Sequence, residues 1–339
     1  MVKCIVWDLD DTLWQGTLGD EDIVFTETNR ALLDKIDKQG ILQSIASRND
    51  PAVAKAQLEK LDILHYFLYP QLGFQSKVQS IQKIADLLNI KQDSIAFIDD
   101  SEFELQEVSF FSPEVQCFNV HNDWKSFLDI ISSNCALTYE TRNRRKMILM
   151  DQKKQIEEQS FLRSREEFLK SCNMRLLIRR AQDKDLERVK ELSKRTNQFA
   201  TFIGSESEAF YEKYMQSKQT HLLVAELEDR FGYYGIIGAC FSQIESNRLL
   251  VDKFCMSCRV GGRGIGTILL YEVINKLSCL NDCTQILCRF LQTEKNRPMM
   301  ILLKSLGFKK MISPVDTYQY KLHAPLSKRA FDWLTVEHN

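Results

Sequence analysis

The chain lacks any apolar run of about 18 residues, the length a membrane-spanning helix needs. Its first residues enter a strand pattern at once, without the basic and apolar segments of a signal peptide. An excess of one charge is missing too: 45 Lys and Arg stand against 46 Asp and Glu, a formal net charge of −1. That balance argues against a nucleic-acid surface or a polybasic membrane anchor. No dense cysteine framework is present, because the ten cysteines are scattered, mostly in apolar contexts. Cys255-x-x-Cys258 lacks the second pair a structural zinc site needs, since Cys279, Cys283 and Cys288 are wrongly spaced. A reducing cytoplasm fits such cysteines best. At 339 residues the chain is large for one core, and two domains are expected.

What is present begins with "CIVWDLDDTLW", an apolar strand that ends in Asp8, Asp10 and Asp11. Carboxylates crowded this closely repel one another unless a cation or a phosphate-handling role accounts for them. The pattern repeats along the first third. "ETNRALLDKIDKQG" reads as an amphipathic helix closed by Gly40, "ILQSIAS" as a second strand, and Asp50-Pro51 as the start of a helix. "VQSIQKIADLLNI" is another helix and "SIAFIDD" another strand ending in acid. Short apolar strands between helices imply a doubly wound parallel sheet, with ligands outside the carboxyl ends of its strands. Asp8/Asp10, Ser47 and Asp99/Asp100 all fall there. Each element alone is equally well a turn or a helix cap, but their convergence favours a site.

The residue types specify a chemistry. Asp8 suits a nucleophile that attacks phosphorus, and Asp10 an acid and base for leaving group and water. Asp8, Asp10, Asp99 and Asp100 suit Mg²⁺, a hard cation that takes oxygen ligands. Ser47, Arg48 and Lys77 suit phosphate oxygens. "DLDDT", Ser47 in "IASRND", Lys77 in "FQSKVQS" and "FIDDS" resemble the four motifs of the haloacid dehalogenase (HAD) phosphohydrolase superfamily, over roughly residues 1–135. The intervals between these motifs leave no room for a cap domain, so a capless, open site is expected.

Residues 136–173 are highly charged and read as a helical connector. The remainder, 174–339, starts afresh with "MRLLIRRAQDKDLERVKELSKR", a strand and a helix. Later, "LLVDKFCMSCRV" leads into "GGRGIGTILLYEVINKL", a glycine-rich turn before a helix, which suits pyrophosphate or phosphopantetheine. With the "MMILLKSLGFKK" helix and the "TYQYKL" strand, this part resembles the Gcn5-related N-acetyltransferase (GNAT) fold, a mixed α/β domain. It departs from that family's loop in carrying Gly261 where Arg or Gln is expected. Gly262, Arg263, Gly264 and Gly266 are the pantetheine-binding candidates. Strict strand alternation puts Asp252, Phe254, Met256 and Cys258 on one face, and Cys255, Ser257 and Arg259 on the other. Cys258 then sits beside the glycine loop as a candidate nucleophile, against the plain alternative of a buried structural cysteine. Asp252 and His221 are the available guesses for its base.

The phosphatase-like half together with "RTNQF", "DRFG" and "SCRV" resembles the FkbH-like glyceryl transferase/phosphatase family over nearly the whole chain. That resemblance implies an enzyme that takes 1,3-bisphosphoglycerate and forms a phosphoglyceryl thioester on Cys258. The Asp8 site then removes the phosphate, and the phosphopantetheine arm of an acyl carrier protein accepts the glyceryl unit for polyketide assembly. Two alternatives stand beside it: a phosphatase fused to an acetyl-CoA-dependent N-acetyltransferase, and a non-catalytic carrier-binding module.

Overall fold

The computed structural model describes residues 2–20, 22–133, 138–204, 206–217, 219–261, 264–315, 318–323 and 331–339. The chain divides into two compact units, Met1–Leu149 and Met150–Asn339. The boundary between them falls inside the span expected as a connector, 136–173, of which residues 136 and 137 lie outside the described residues.

In the first unit β1 (Cys4–Trp7), α1 (Glu27–Lys38), β2 (Leu42–Ser47), α2 (Pro51–Lys60), β3 (Gln71–Leu72), α3 (Lys77–Leu88), β4 (Ile95–Asp99), α4 (Glu102–Phe111), β5 (Gln116–Asn119) and α5 (Trp124–Ser133) alternate. The strands form a parallel sheet in the order β3-β2-β1-β4-β5. Helices cover both faces. Ile5 and Trp7 enter one core cluster, while Cys4 and Val6 enter the other. That is why β1 is apolar throughout instead of alternating. Fully burying a side chain such as Phe97 contributes roughly 1.5–3 kcal/mol. Helix starts follow from local chemistry: Thr26, Asp50, Ser76 and Ser101 each accept a backbone N–H at the first turn of α1 to α4. Gly40 follows α1 at φ +71°, a conformation that glycine adopts without strain. Short α6 (Tyr139–Arg142) and long α7 (Arg144–Ser160) follow, and the unit boundary falls within α7.

The second unit holds α8 (Arg165–Ser171), β6 (Met174–Arg180), α9 (Leu186–Arg195), α10 (Glu208–Gln216), β7 (Thr220–Asp229), β8 (Gly232–Glu245), β9 (Arg248–Met256), α11 (Ile265–Leu280), β10 (Gln285–Arg289), α12 (Arg297–Ser305), β11 (Lys309–Val315), β12 (Tyr318–His323) and β13 (Leu334–His338). Its mixed sheet runs β11-β12-β10-β9-β8-β7-β6-β13, with β9 and β10 parallel at its centre. α11 supplies the main apolar face against this sheet, burying Ile265, Ile268, Leu269 and their neighbours. Among the described residues no helix is long and apolar enough to cross a membrane.

Strict alternation fails in β9. Phe241 registers with Lys253 but Ser242 registers with Val251, so Asp252 is an extra residue in a β-bulge. Leu249, Val251, Phe254 and Met256 consequently share the cluster under α11, whereas Cys255 lies in the cluster with α9 and α10. Asp252 goes with the latter, accepting from Tyr214 of α10. Its expected place on the face of Phe254, Met256 and Cys258 is thus corrected, and so is that of Cys258. The strand ends at Met256, and Cys258 opens a short 3₁₀ turn, Cys258–Val260.

Candidate functional site

The carboxyl edge of the first sheet assembles one acidic cluster. β1 and β4 are adjacent with Trp7 in register with Ile98, so the next residues of the two strands, Asp8 and Asp99, emerge side by side. The backbone N–H of Asp8 donates to the Ile98 carbonyl at 2.9 Å, which carries the ladder to the site. Carboxylate oxygens of Asp8, Asp99 and Asp100 lie within 4.8 Å of one another. Lys77, the first residue of α3, is 3% exposed and reaches between them. Its ammonium donates to Asp8 and to the Ala46 carbonyl at 2.6 Å, and stands 3.2 Å from Asp99 Oδ2. One buried cation thus serves two buried carboxylates.

That imbalance sets the titration behaviour. Burial pushes the Asp8 carboxyl up to about 7; Lys77 opposes the shift and Asp99 adds to it. Burial likewise raises Asp99. Asp99 Oδ2 is buried with the Lys77 ammonium beside it, while Asp99 Oδ1 takes the Ser101 N–H at 2.9 Å. Three clustered carboxylates served by a single ammonium fit a hard divalent cation such as Mg²⁺.

Asp10 is not part of that cluster. After Asp8 the chain turns tightly, with the N–H groups of Leu13 and Trp14 both on the Leu9 carbonyl, and the Trp14 indole folds back. Asp10 Oδ1 accepts from Trp14 Nε1 at 2.9 Å and Leu18 N at 3.1 Å; Asp10 Oδ2 accepts from Asn49 Nδ2 at 2.9 Å. Its carboxylate is committed to these donors, so its expected share in metal ligation is not carried by the side chain. Asn49 also donates to Ser47 Oγ at 3.1 Å and so ties two of the motifs together. Sequence reasoning passed over Asn49, although it lies just after Ser47 in "IASRND". Arg48 points elsewhere than expected: it pairs with Glu104 of α4 at 2.9 Å, and Glu107 lies 3.9 Å away. Glu104 is 8% exposed and burial raises its carboxyl. Thr12 Oγ1 donates to Asp100 at 3.4 Å, and Asn119 donates to the Asp100 carbonyl at 3.0 Å.

In the second unit the two cysteines of "CMSC" have opposite environments. Cys255 is fully buried and its thiol is pushed up to about 11, whereas Cys258 is exposed. The "RTNQF" segment runs beside the end of β9: Met256 N donates to Phe199 O and Thr201 N to Phe254 O, both at 2.9 Å. A side chain on Gly261 would stand 2.8 Å from the Phe199 ring, so "RTNQF" and "SCRV" pack on each other through a glycine. "DRFG" is a structural turn. Asp229 takes the buried ammonium of Lys154 and the Tyr234 hydroxyl, and also caps the Phe231 N–H at 2.9 Å.

Of the expected pantetheine loop, Gly262 and Arg263 lie outside the described residues. Gly264 is exposed at φ +73° before α11. Gly266 is buried, with a Cβ there only 2.8 Å from Leu302 and 2.9 Å from Met256, so it serves helix–strand packing and is corrected as a ligand contact. Asp252 is engaged by Tyr214, as above. His221 registers with Ser242 on β8, two strands from β9, and burial lowers its pKa. Neither stands as the base for Cys258. Among the described residues every cysteine is free, and no Cys or His cluster with metal-ligand geometry accompanies Cys255 and Cys258.

Neither a protein-family model nor a curated protein matches the chain. Solved structures similar to it include the N-terminal phosphatase-domain part of a Bacteroides fragilis protein, complexed with Mg. That likeness has 27% identity and a TM-score of 0.32, covering 40% of this chain and 41% of that one. Also similar are the PaiA N-acetyltransferase of Thermoplasma acidophilum in complex with coenzyme A (18% identity, 44% of this chain and 99% of that one, TM-score 0.33) and the ribosomal-protein-S18-alanine N-acetyltransferase of Escherichia coli (16%, 43% and 88%, TM-score 0.32). What the chain is similar to, then, includes a phosphatase domain and N-acetyltransferases.

Proposed function

We propose that the chain is a bifunctional enzyme, a Mg²⁺-dependent phosphatase and an acyltransferase that loads a glyceryl unit from 1,3-bisphosphoglycerate onto an acyl carrier protein. The observation that carries the phosphatase half is the buried Asp8 at the end of β1, paired with a Lys77 that also serves Asp99. Asp8 attacks the phosphate monoester to form an aspartyl phosphate, and the departing alkoxide takes a proton from Asp10. Asp10 then withdraws a proton from the water that hydrolyses the intermediate. The donors on Asp10 from Trp14, Leu18 and Asn49 hold it in line for both steps. Asp8, Asp99 and Asp100 would hold Mg²⁺, which would offset the repulsion between carboxylate and phosphate.

For transfer, the support is the contrast between an exposed Cys258 and a sealed Cys255. The Cys258 thiolate attacks the acyl phosphate carbon, forming the thioester and releasing inorganic phosphate. The carrier's pantetheine thiol then accepts the acyl group, with exposed Gly264 beside the arm. The test is to incubate the protein with 1,3-bisphosphoglycerate and carrier protein, then weigh both proteins intact. A (phospho)glyceryl adduct on Cys258 and a glyceryl carrier are expected. Acetyl transfer from acetyl-CoA with no glyceryl adduct would replace this reading with the N-acetyltransferase fusion.

A further inference from the structure

Arg48 follows Ser47 at the carboxyl end of β2, and Glu104 lies in the first turn of α4, just beyond β4. β1 stands between those two strands, about 4.8 Å from each. The pair that joins Arg48 to Glu104 therefore bridges the exit of β1, where Asp8 emerges. It lies on the side of α3 and α4, from which Lys77 reaches Asp8 and Asp99. The bridge uses one nitrogen: Arg48 Nη2 stands 2.9 Å from Glu104 Oε1 and 3.9 Å from Glu107 Oε2. Nε and Nη1 have no hydrogen-bond or ion-pair partner among the described residues, and the side chain is 46% exposed. Glu104, by contrast, is buried. Burial raises its carboxyl; Arg48 and Lys77 oppose the shift and Asp99 adds to it, so Glu104 shares the electrostatic surroundings of the Asp8 site. Burying a carboxylate for one half-exposed ion pair costs more than such a pair returns. Stability alone does not account for it. A buried acid holds one edge of a planar five-donor fork, and the rest of the fork stays open at the rim of the acidic site.

We propose that Arg48, positioned by Glu104, determines the specificity of the phosphatase site, its open N–H groups taking the acyl oxygen at the far end of a three-carbon phosphate monoester. The proposal rests on the phosphatase reading above and deepens it by naming the substrate class. With phosphorus at Asp8, both recognition points lie over the end of β1, which suits a short ester. The acyl oxygen is a carboxylate in free phosphoglyceric acid and a carbonyl in its thioester. Both accept from a guanidinium, the carboxylate with charge assistance. Arg48 is then no ligand of the phosphate that is removed. It lets an open site select against phosphate esters that carry no acyl group.

The test assays full-length protein with Mg²⁺ for phosphate release from three substrates. These are 3-phosphoglycerate, its N-acetylcysteamine thioester, and glycerol 3-phosphate, which keeps the carbons and the ester but has no acyl oxygen. Wild-type kcat/KM should favour the acyl substrates. Arg48→Gln should lower that preference about tenfold to a hundredfold, mainly through KM, the loss of one charge-assisted hydrogen bond. Arg48→Lys should recover only part of it, because a point charge replaces a planar fork. Glu104→Gln should lower the preference by a smaller factor, whereas a merely structural role would slow all three substrates together and overturn its positioning part. Arg48 is half-exposed, so its variants keep the test open should Glu104→Gln fail to fold. A fall confined to 3-phosphoglycerate supports recognition of the free carboxylate, and one confined to the thioester supports recognition of the sulfur-bound unit. An unchanged preference in Arg48→Gln overturns the proposal. So does an equal loss on all three substrates, since Arg48 would then hold the transferred phosphate. Wild type that hydrolyses all three without preference sinks the acyl contact and leaves the phosphatase standing, whereas no release from any of them sinks both.

Discussion

Asp8→Asn should make the metal-free protein more stable at alkaline pH while abolishing phosphate release. The Asp8 carboxyl titrates near 7 in the folded chain against an ordinary value of 3.8. At about 1.4 kcal/mol per pH unit, its ionised form is disfavoured by about 4 kcal/mol relative to the unfolded chain. The sign follows from the raised value: the stability contributed by the neutral acid is fully present below about pH 4 and lost as pH rises through about 7. Asparagine is nearly isosteric and cannot ionise. It also gives up the pairing with Lys77, but that ammonium keeps Asp99 at 3.2 Å and the Ala46 carbonyl, so it is not stranded. A net gain of about 1–2 kcal/mol at pH 8 in EDTA is expected once that lost pairing is set against the relieved anion. For a unit of this size it corresponds to a Tm rise of about 3–8 °C. Three of the four tryptophans, Trp7, Trp14 and Trp124, lie in the first unit, so thermal unfolding followed by fluorescence reports on it. The gap should shrink at pH 5, where wild-type Asp8 is protonated. Saturating Mg²⁺ should reverse the order, since a ligand at 100 times its Kd stabilises the wild type by about 2.7 kcal/mol and the variant has lost a ligand. A variant less stable than wild type at pH 8 in EDTA, or a gap indifferent to pH, would refute the buried-anion argument.

Phosphate release at limiting Mg²⁺ should fall as pH drops through about 7, and kcat/KM profiles at two Mg²⁺ concentrations should show that limb moving to lower pH as the ion stabilises ionised Asp8. Asn49→Ala should lower kcat about tenfold to a hundredfold with little change in KM, because it frees Asp10 without removing a group that binds substrate. Timed alkylation with iodoacetamide should label exposed Cys258 and Cys279 well before Cys255; rapid labelling of Cys255 in native protein would contradict its burial. Gly266→Ala should destabilise the second unit by about 1–3 kcal/mol through overpacking against Leu302 and Met256. Its phosphate release should stay unchanged at temperatures where both units remain folded.

The first unit was legible because its chemistry rides on strand ends. In a doubly wound sheet each apolar run terminates at the same edge, so Asp8, Ser47 and Asp99 converge whatever the helices between them do. What stayed hidden was the use made of side chains one or two positions further on. Asp10 and Arg48 leave the strands in turns, and the direction of a turn depends on its hydrogen bonds rather than on a period. Trp14 captured Asp10 from within its own turn, while Asn49 captured Asp10, and Glu104 captured Arg48, across separations that no periodic reading spans.

The second unit shows the opposite case, in which a period was present but interrupted. A bulge at Asp252 leaves no signature in composition, since "LLVDKFCM" alternates acceptably with or without it. Yet it reverses which residues after it share a face with those before. Phe254 and Met256 join Leu249 and Val251 under α11, while Lys253 and Cys255 turn to the side of α9 and α10. The consequence for chemistry is specific. Had alternation run unbroken, Lys253 would fall on the α11 face among Leu269, Ile265 and their neighbours, where an ammonium buried among apolar side chains would be costly. The bulge instead delivers its ammonium to the Gly204 carbonyl and Glu206, in the segment between α9 and α10. It also leaves Cys255 sealed in that same core, so the thiol open to a substrate is the one beyond the strand's end, at Cys258.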